Sequence, residues 1–244
     1  MARDPSAKIR IAAAADLHCR RDDHGRFRLF VRQVNERAEL LLLCGDLTDH
    51  GSIEEGQLLA EELSGLRVPC VAVLGNHDYE AGAVKELCEV LNKVGVRILD
   101  GDRYVFDKVL GVAGIKGFGG GFDSEILQAF GESSVKAFVH EAIAEALKLE
   151  AALGQLDTPK KVVMMHYSPI AATTEGEAAE VRPFLGTSRL VGPMSRYSAN
   201  AVFHGHSHHG SLTGKTDKGI PVYNVAMPLL KRLTPDQRFV LAEI

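Results

Sequence analysis

Along the first hundred residues, short uninterrupted apolar runs alternate with stretches whose apolar positions recur every three to four residues. The runs at 9–15, 40–44 and 70–74 are too short for helices and show no polar alternation, which predicts strands buried on both faces. The periodic stretches 27–37, 54–63 and 83–94 predict amphipathic helices between them. Ser52 and Glu55 have the spacing of a capping box and place a helix start just after 52. This is a βαβαβα layout, the signature of an α/β fold.

The remainder reads differently. Short strands are predicted around 97–99, 104–106 and 111–115, followed by a glycine cluster at 117–121 and a long helix over about 134–153. Strands return around 161–165, 201–204, 211–215, 221–225 and 238–242, broken by a polar loop from 171 to about 187. A second sheet made largely from this part is expected to pack on the first. With no repeat, low-complexity tract or linker in view, residues 1–244 are expected to form one domain.

Composition narrows the picture. The chain has 244 residues and 45% hydrophobic content, enough for a substantial core. A net charge of -4 and a pI near 6.2 give no global attraction to a polyanion, so a nucleic-acid partner is not expected. The four cysteines form no CxxC pair, as suits reduced thiols. No apolar stretch reaches the roughly 18 residues of a membrane span, and residues 1–7 are too polar for a signal peptide. A cytoplasmic location without membrane attachment is expected.

The chemistry sits where the runs stop. Asp16-Leu17-His18 ends the first, Gly45-Asp46-Leu47-Thr48-Asp49 the second, and Gly75-Asn76-His77-Asp78 the third. His166 ends the run at 161–165, and Gly205-His206-Ser207-His208 follows the strand near 201–203. Strand ends are where α/β sheets place their sites. Carboxylates, imidazoles and one amide, with no thiolate, suit Mn, Fe, Zn or Co. If the backbone stays extended, Asp16 and His18 share a face and can chelate one ion, and His206 and His208 likewise share one. Asp46, with two oxygens, can bridge two ions.

These five blocks, in this order from Asp16 to His208, resemble the calcineurin-like metallophosphoesterase superfamily. The resemblance implies a four-layer α-β-β-α sandwich with two mixed sheets and a centre of two divalent transition-metal ions, Mn foremost. It implies that Asp16, His18, Asp46 and His208 hold one ion and that Asp46, Asn76, His166 and His206 hold the other. It gives His77 the part of a non-ligand general acid, with Asp78 beside it to orient or charge it. The implied activity is hydrolysis of phosphate esters without a protein nucleophile. Phosphoprotein phosphatases of this superfamily place arginines where this chain has His50 and Leu74. The expected substrate is therefore a small-molecule phosphodiester, with a phosphomonoesterase, a nuclease or a non-catalytic metal-binding interaction module as alternatives.

Several residues near the motifs receive humbler expectations. Asp49 is expected to brace its turn, His204 to be a buried structural histidine, and Cys19 to be a bystander thiol. The 117–121 cluster matches neither phosphate-cradle pattern and is expected to be a turn ahead of a helix. Lys116, Arg182 and Arg189 are the cations best able to replace the missing arginines by folding over the site.

Overall fold

The apolar runs fold as strands because both of their faces find a partner. In the computed structural model, which describes Asp4 and residues 6–244, β1 (Arg10–Ala14), β2 (Leu40–Cys44), β3 (Cys70–Val73) and β4 (Val96–Ile98) run parallel, with β11 (Val240–Glu243) antiparallel against β1. The second sheet comprises β5 (Asp102–Phe106), β6 (Leu110–Gly114), β7 (Lys160–Met164), β8 (Ala201–His204), β9 (Thr213–Lys215) and β10 (Pro221–Asn224), in the order β5-β6-β7-β8-β10-β9. Its central strands β6, β7, β8 and β10 are parallel and its edges antiparallel, so both sheets are mixed.

Alternate residues of each strand enter different cores. Ile11, Leu40, Leu42, Val71 and Val73 meet Leu110, Val112, Val162, Met164 and Phe203 between the sheets. Ala12, Leu41, Leu43 and Ala72 instead face α1 (Arg28–Arg37), α2 (Ile53–Leu63) and α3 (Val84–Lys93) through Phe30, Leu59 and Leu87. Ala113, Val163 and Val202 face α4 (Ser133–Gly154) and α5 (Val191–Arg196) through Leu149, Leu153 and Met194. Three cores separate four layers, helix, sheet, sheet and helix. The capping box closes: Ser52 Oγ accepts from the Glu55 N–H at 3.3 Å while Glu55 Oε2 accepts from the Ser52 N–H at 3.2 Å.

Three features depart from the sequence pattern. The last strand joins the first sheet, where Arg10 pairs with Glu243, and not the second. Two short helices, α5 and α6 (Met227–Leu233), carry prolines and are too brief to show a period. The polar loop holds single 3-10 turns at Ala171–Thr174 and Arg182–Phe184. All four cysteines are free, and no helix among the described residues is long and apolar enough to cross a membrane.

Candidate metal centre

The strands β1, β2, β3, β7 and β8 end at one edge of the sandwich, and the five motifs meet there. After β1 the chain remains bonded to its neighbour: Asp16 N–H donates to Gly45 O at 2.9 Å and His18 N–H to Asp46 O at 3.1 Å. The backbone is not extended, however. Asp16, His18, Asp46 and His206 have φ of 56°, 43°, 49° and 68°, so the expected strand-like sharing of a face by Asp16 and His18, or by His206 and His208, does not occur. Left-handed turns aim these side chains instead. Each such turn at a non-glycine residue costs about 1–3 kcal/mol, and four of the eight among the described residues fall at candidate ligand positions.

The motif glycines are needed for the approach of the side chains. A Cβ on Gly75 would lie 2.1 Å from Asp46 Oδ1, one on Gly45 would lie 2.6 Å from His166 Nδ1, and one on Gly205 would lie 2.4 Å from Asp16 Oδ2. Any larger residue would displace a predicted ligand.

Two donor groups result. Asp16, His18 and His208 converge, with His208 Nε2 at 2.9 Å from Asp16 Oδ1. Asp46, His166 and His206 form the other, and His166 Nε2 lies 3.4 Å from Asp46 Oδ2 and 3.1 Å from Asn76 Oδ1. Asp46 Oδ2 is also 3.9 Å from His18 Nε2, so it stands between the groups. His166 Nδ1 faces Cys44 O at 3.0 Å; a carbonyl only accepts, so Nδ1 carries the proton and Nε2 is turned inward for ligation.

The donors fit divalent ions. Both ring nitrogens of His18 are buried without a hydrogen-bond partner, and a cation at Nε2 would remove that cost for the nitrogen facing Asp46. The donor atoms of each group lie within 4.8 Å of one another, near enough to meet on one cation. Burial pushes Asp16 and Asp46 up, but the bond and charge of His208 on Asp16, and the charge of His166 on Asp46, outweigh it and hold both below the usual carboxylate range. Burial lowers His166, yet Asp46 and Asp16 lift it to about 9. His206, pressed by burial and by His166, falls to about 3 and is a neutral imidazole.

His77 lies at the rim. Its Nδ1 donates to Asp49 O at 2.6 Å, which leaves Nε2 facing Asp46 Oδ2 at 4.0 Å. Its ring meets that of His18 edge-on at 4.6 Å, and His18, Asp49 and His77 form a third group of potential metal donors.

The expected partnership of Asp78 with His77 is not formed. The Asp78 carboxylate is fully buried and accepts from the N–H groups of Leu47, Thr48 and Gly75 at 3.1, 2.9 and 2.9 Å and from Thr48 Oγ1 at 2.6 Å. It ties the second motif to the third. Burial and the charge of Asp46 push it up to about 6. Asp49 supplies the contact to His77 instead, and its carboxylate does more than brace a turn, lying 3.4 Å from His18 Nδ1 and 2.9 Å from Arg20 Nε.

His204 is buried, bonded to Thr173 Oγ1 and Gly205 O at 2.8 Å each, and driven down to about 4 by burial. Burial pushes the Cys19 thiol up to about 12, leaving it inert. The glycine cluster is a bonded wall, with N–H groups of Gly117, Gly120 and Gly121 donating to Glu145, Pro183 O and Gly186 O.

Sequence reasoning passes over Tyr167, yet its ring lies 4.5 Å from that of His206. Its only signal is adjacency to His166. A cavity of about 570 Å³ lies between α1 and α2 and is lined by none of these residues.

Known proteins share this architecture. A crystal structure of phosphopantetheinyl hydrolase (PptH) from Mycobacterium tuberculosis superposes with a TM-score of 0.69 at 18% identity, covering 97% of this chain and 96% of that one. The protein TT1561 of Thermus thermophilus gives 0.58 at 14% identity, covering 91% of each. A protein of Arcobacter nitrofigilis described as a probable glycerophosphodiester phosphodiesterase, GpdQ, is 24% identical over 193 residues, which is 76% of this chain and 62% of that relative's length. The family profile described as Calcineurin-like phosphoesterase matches residues 9–210, a span that includes every candidate ligand described above. The chain belongs to the calcineurin-like phosphoesterase family.

Proposed function

We propose that this chain is a dinuclear-metal phosphodiesterase of small-molecule phosphate esters, its two transition-metal ions, Mn foremost, held by Asp16, His18, Asp46, Asn76, His166, His206 and His208. The observation that carries this reading is Asp46 Oδ2, 3.4 Å from His166 Nε2 and 3.9 Å from His18 Nε2, a single atom facing both donor groups. When bound, a pair of divalent ions supplies Lewis-acid charge for phosphoryl oxygens and lowers the pKa of water.

The chain's own part is to fix donors and move one proton. Asp46 Oδ1 accepts from the His77 N–H at 2.9 Å, which keeps Oδ2 turned to the shared position. The His77 ring, anchored through Nδ1, presents Nε2 to the cleft, where its protonated form can donate to the departing alcohol oxygen.

The preference for a diester has two supports. The Arcobacter relative is described as a phosphodiesterase, although this chain spans 62% of its length. Arg182 commits Nε and Nη2 to Thr174 Oγ1 and Ala171 O, which withdraws its fork from a dianionic monoester, and one Nη of Arg189 is held by Leu127 O. Comparing bis-p-nitrophenyl phosphate with p-nitrophenyl phosphate in Mn tests this. A higher kcat/KM on the diester is expected, and a clear preference for the monoester contradicts it.

A further inference from the structure

Lys116 follows β6 at the same edge as the motifs, and its carbonyl accepts the His166 N–H at 2.9 Å. Its ammonium lies 4.7, 5.4 and 5.8 Å from the ring centroids of Phe118, Tyr167 and Tyr79. Tyr79 is two residues past His77, and the Tyr167 ring lies against His206. One tyrosine ring therefore separates this cation from a histidine of the metal centre.

The ammonium is underused. It makes one hydrogen bond, to Gly117 O at 2.9 Å, and forms no ion pair with a described carboxylate. The acids that it feels are Glu145, Glu141 and Asp100, in that order; Lys148 engages Glu145 and Asp100 at 2.8 and 3.0 Å, and Glu141 lies beyond ion-pair distance of Lys116. An ammonium has three donors, and half-burial among aromatic faces removes water from the others without replacing it by an acceptor.

Lys116 further lines a cavity of about 140 Å³ with Leu74, Tyr79, Ile98, Leu99 and Asp100. The walls are mainly apolar, and the Asp100 charge is met by Lys148.

We infer that Lys116 and this cavity form a specificity subsite that takes a short apolar substituent of the phosphate ester ending in an anionic oxygen group, a carboxylate or a second phosphate. The inference rests on the phosphoesterase reading above and names the class of ester that it would prefer. Lys116 is a specificity-determining residue, with no part in breaking the P–O bond.

The test is calorimetric binding of three non-hydrolysable probes to the Mn-loaded protein: propylphosphonate, 3-phosphonopropionate and ethylene-1,2-bisphosphonate. One charge-assisted hydrogen bond should make at least one anionic probe bind about tenfold or more tighter than propylphosphonate. The larger of the two ratios identifies the oxyanion. Lys116→Met should bring both ratios to about one, and Lys116→Arg should retain the preference. Lys116→Gln serves the same comparison if the methionine variant does not fold. Ratios near one in the wild type, or a preference that survives in Lys116→Met, overturn the subsite. Because binding is read within each variant, a protein that shows the Lys116-dependent ratio but leaves diesters intact would contradict the phosphodiesterase reading and leave the subsite standing.

Discussion

The donor set around Asp46 and the set around Asp16 are built to different standards. His166 is fully buried, its Nδ1 is held by Cys44 O, and the His206 ring is packed between the rings of His166 and Tyr167 at 4.7 and 4.5 Å. The His208 side chain is 34% exposed, and His18 has no hydrogen bond on either ring nitrogen. Packing therefore fixes His166 and His206 of the inner, Asp46 set more firmly than His18 and His208 of the outer, Asp16 set. A ligand set ordered before binding loses less entropy on binding, so the inner set should hold its ion more tightly.

The strongest blow to this comparison falls on the residue that the sets share. Asp46→Ala should lower kcat/KM for a phosphodiester by at least about 10⁴-fold, since it damages both sets at once. A loss no larger than that of a single-set variant would mean that the carboxylate is not shared.

Next is His77, which belongs to neither set in the proposed roles. His77→Ala should keep Mn content yet reduce kcat by about 10²–10⁴-fold for an alkyl leaving group, and by less for p-nitrophenolate, which leaves without a proton. Loss of Mn from this variant would instead move His77 into the group with His18 and Asp49.

The comparison itself is sharpened by titrating Mn into His166→Ala and His18→Ala. The inner variant should lose its tighter site and the outer variant its weaker one, with the two wild-type constants separated by about tenfold or more. The reverse assignment in equilibrium dialysis breaks the argument from burial.

Asp78→Asn tests the bracing of the loops beneath both sets. Replacing an acceptor oxygen by an amide donor against buried N–H groups should cost about 1–3 kcal/mol of stability in urea, with a kcat loss much smaller than that of His77→Ala. A kinetic defect as large as that of His77→Ala, at full stability, would restore the orienting role. Ser52→Ala, remote from the ions, should cost about 1 kcal/mol through the lost cap and change neither Mn constant.

The sequence displayed much of the fold because strands buried on both faces leave uninterrupted apolar runs, as at 40–44, and amphipathic helices leave a period. It displayed less where partners decide: β11 pairs with β1 across more than two hundred residues, and nothing local in 238–242 indicates which sheet it joins. The motif residues were visible by type and spacing. Their backbone was not, since the left-handed turns at Asp16 and Asp46 arise from bonding between adjacent loops and from glycines that admit the side chains. The same holds for Asp78: adjacency to His77 suggested a pair, whereas the buried N–H groups of Leu47, Thr48 and Gly75 draw its carboxylate away. Arg182 and Arg189 could be named as cations but not shown to be tied to carbonyl and hydroxyl oxygens until the loop was folded.

The central claim is that two ion sites share Asp46, and the most direct test is elemental analysis of the protein equilibrated with saturating Mn and then freed of unbound metal. Two ions per chain in the wild type, with at least one lost in Asp46→Ala, is the result that this account predicts. One ion or none in the wild type would contradict it.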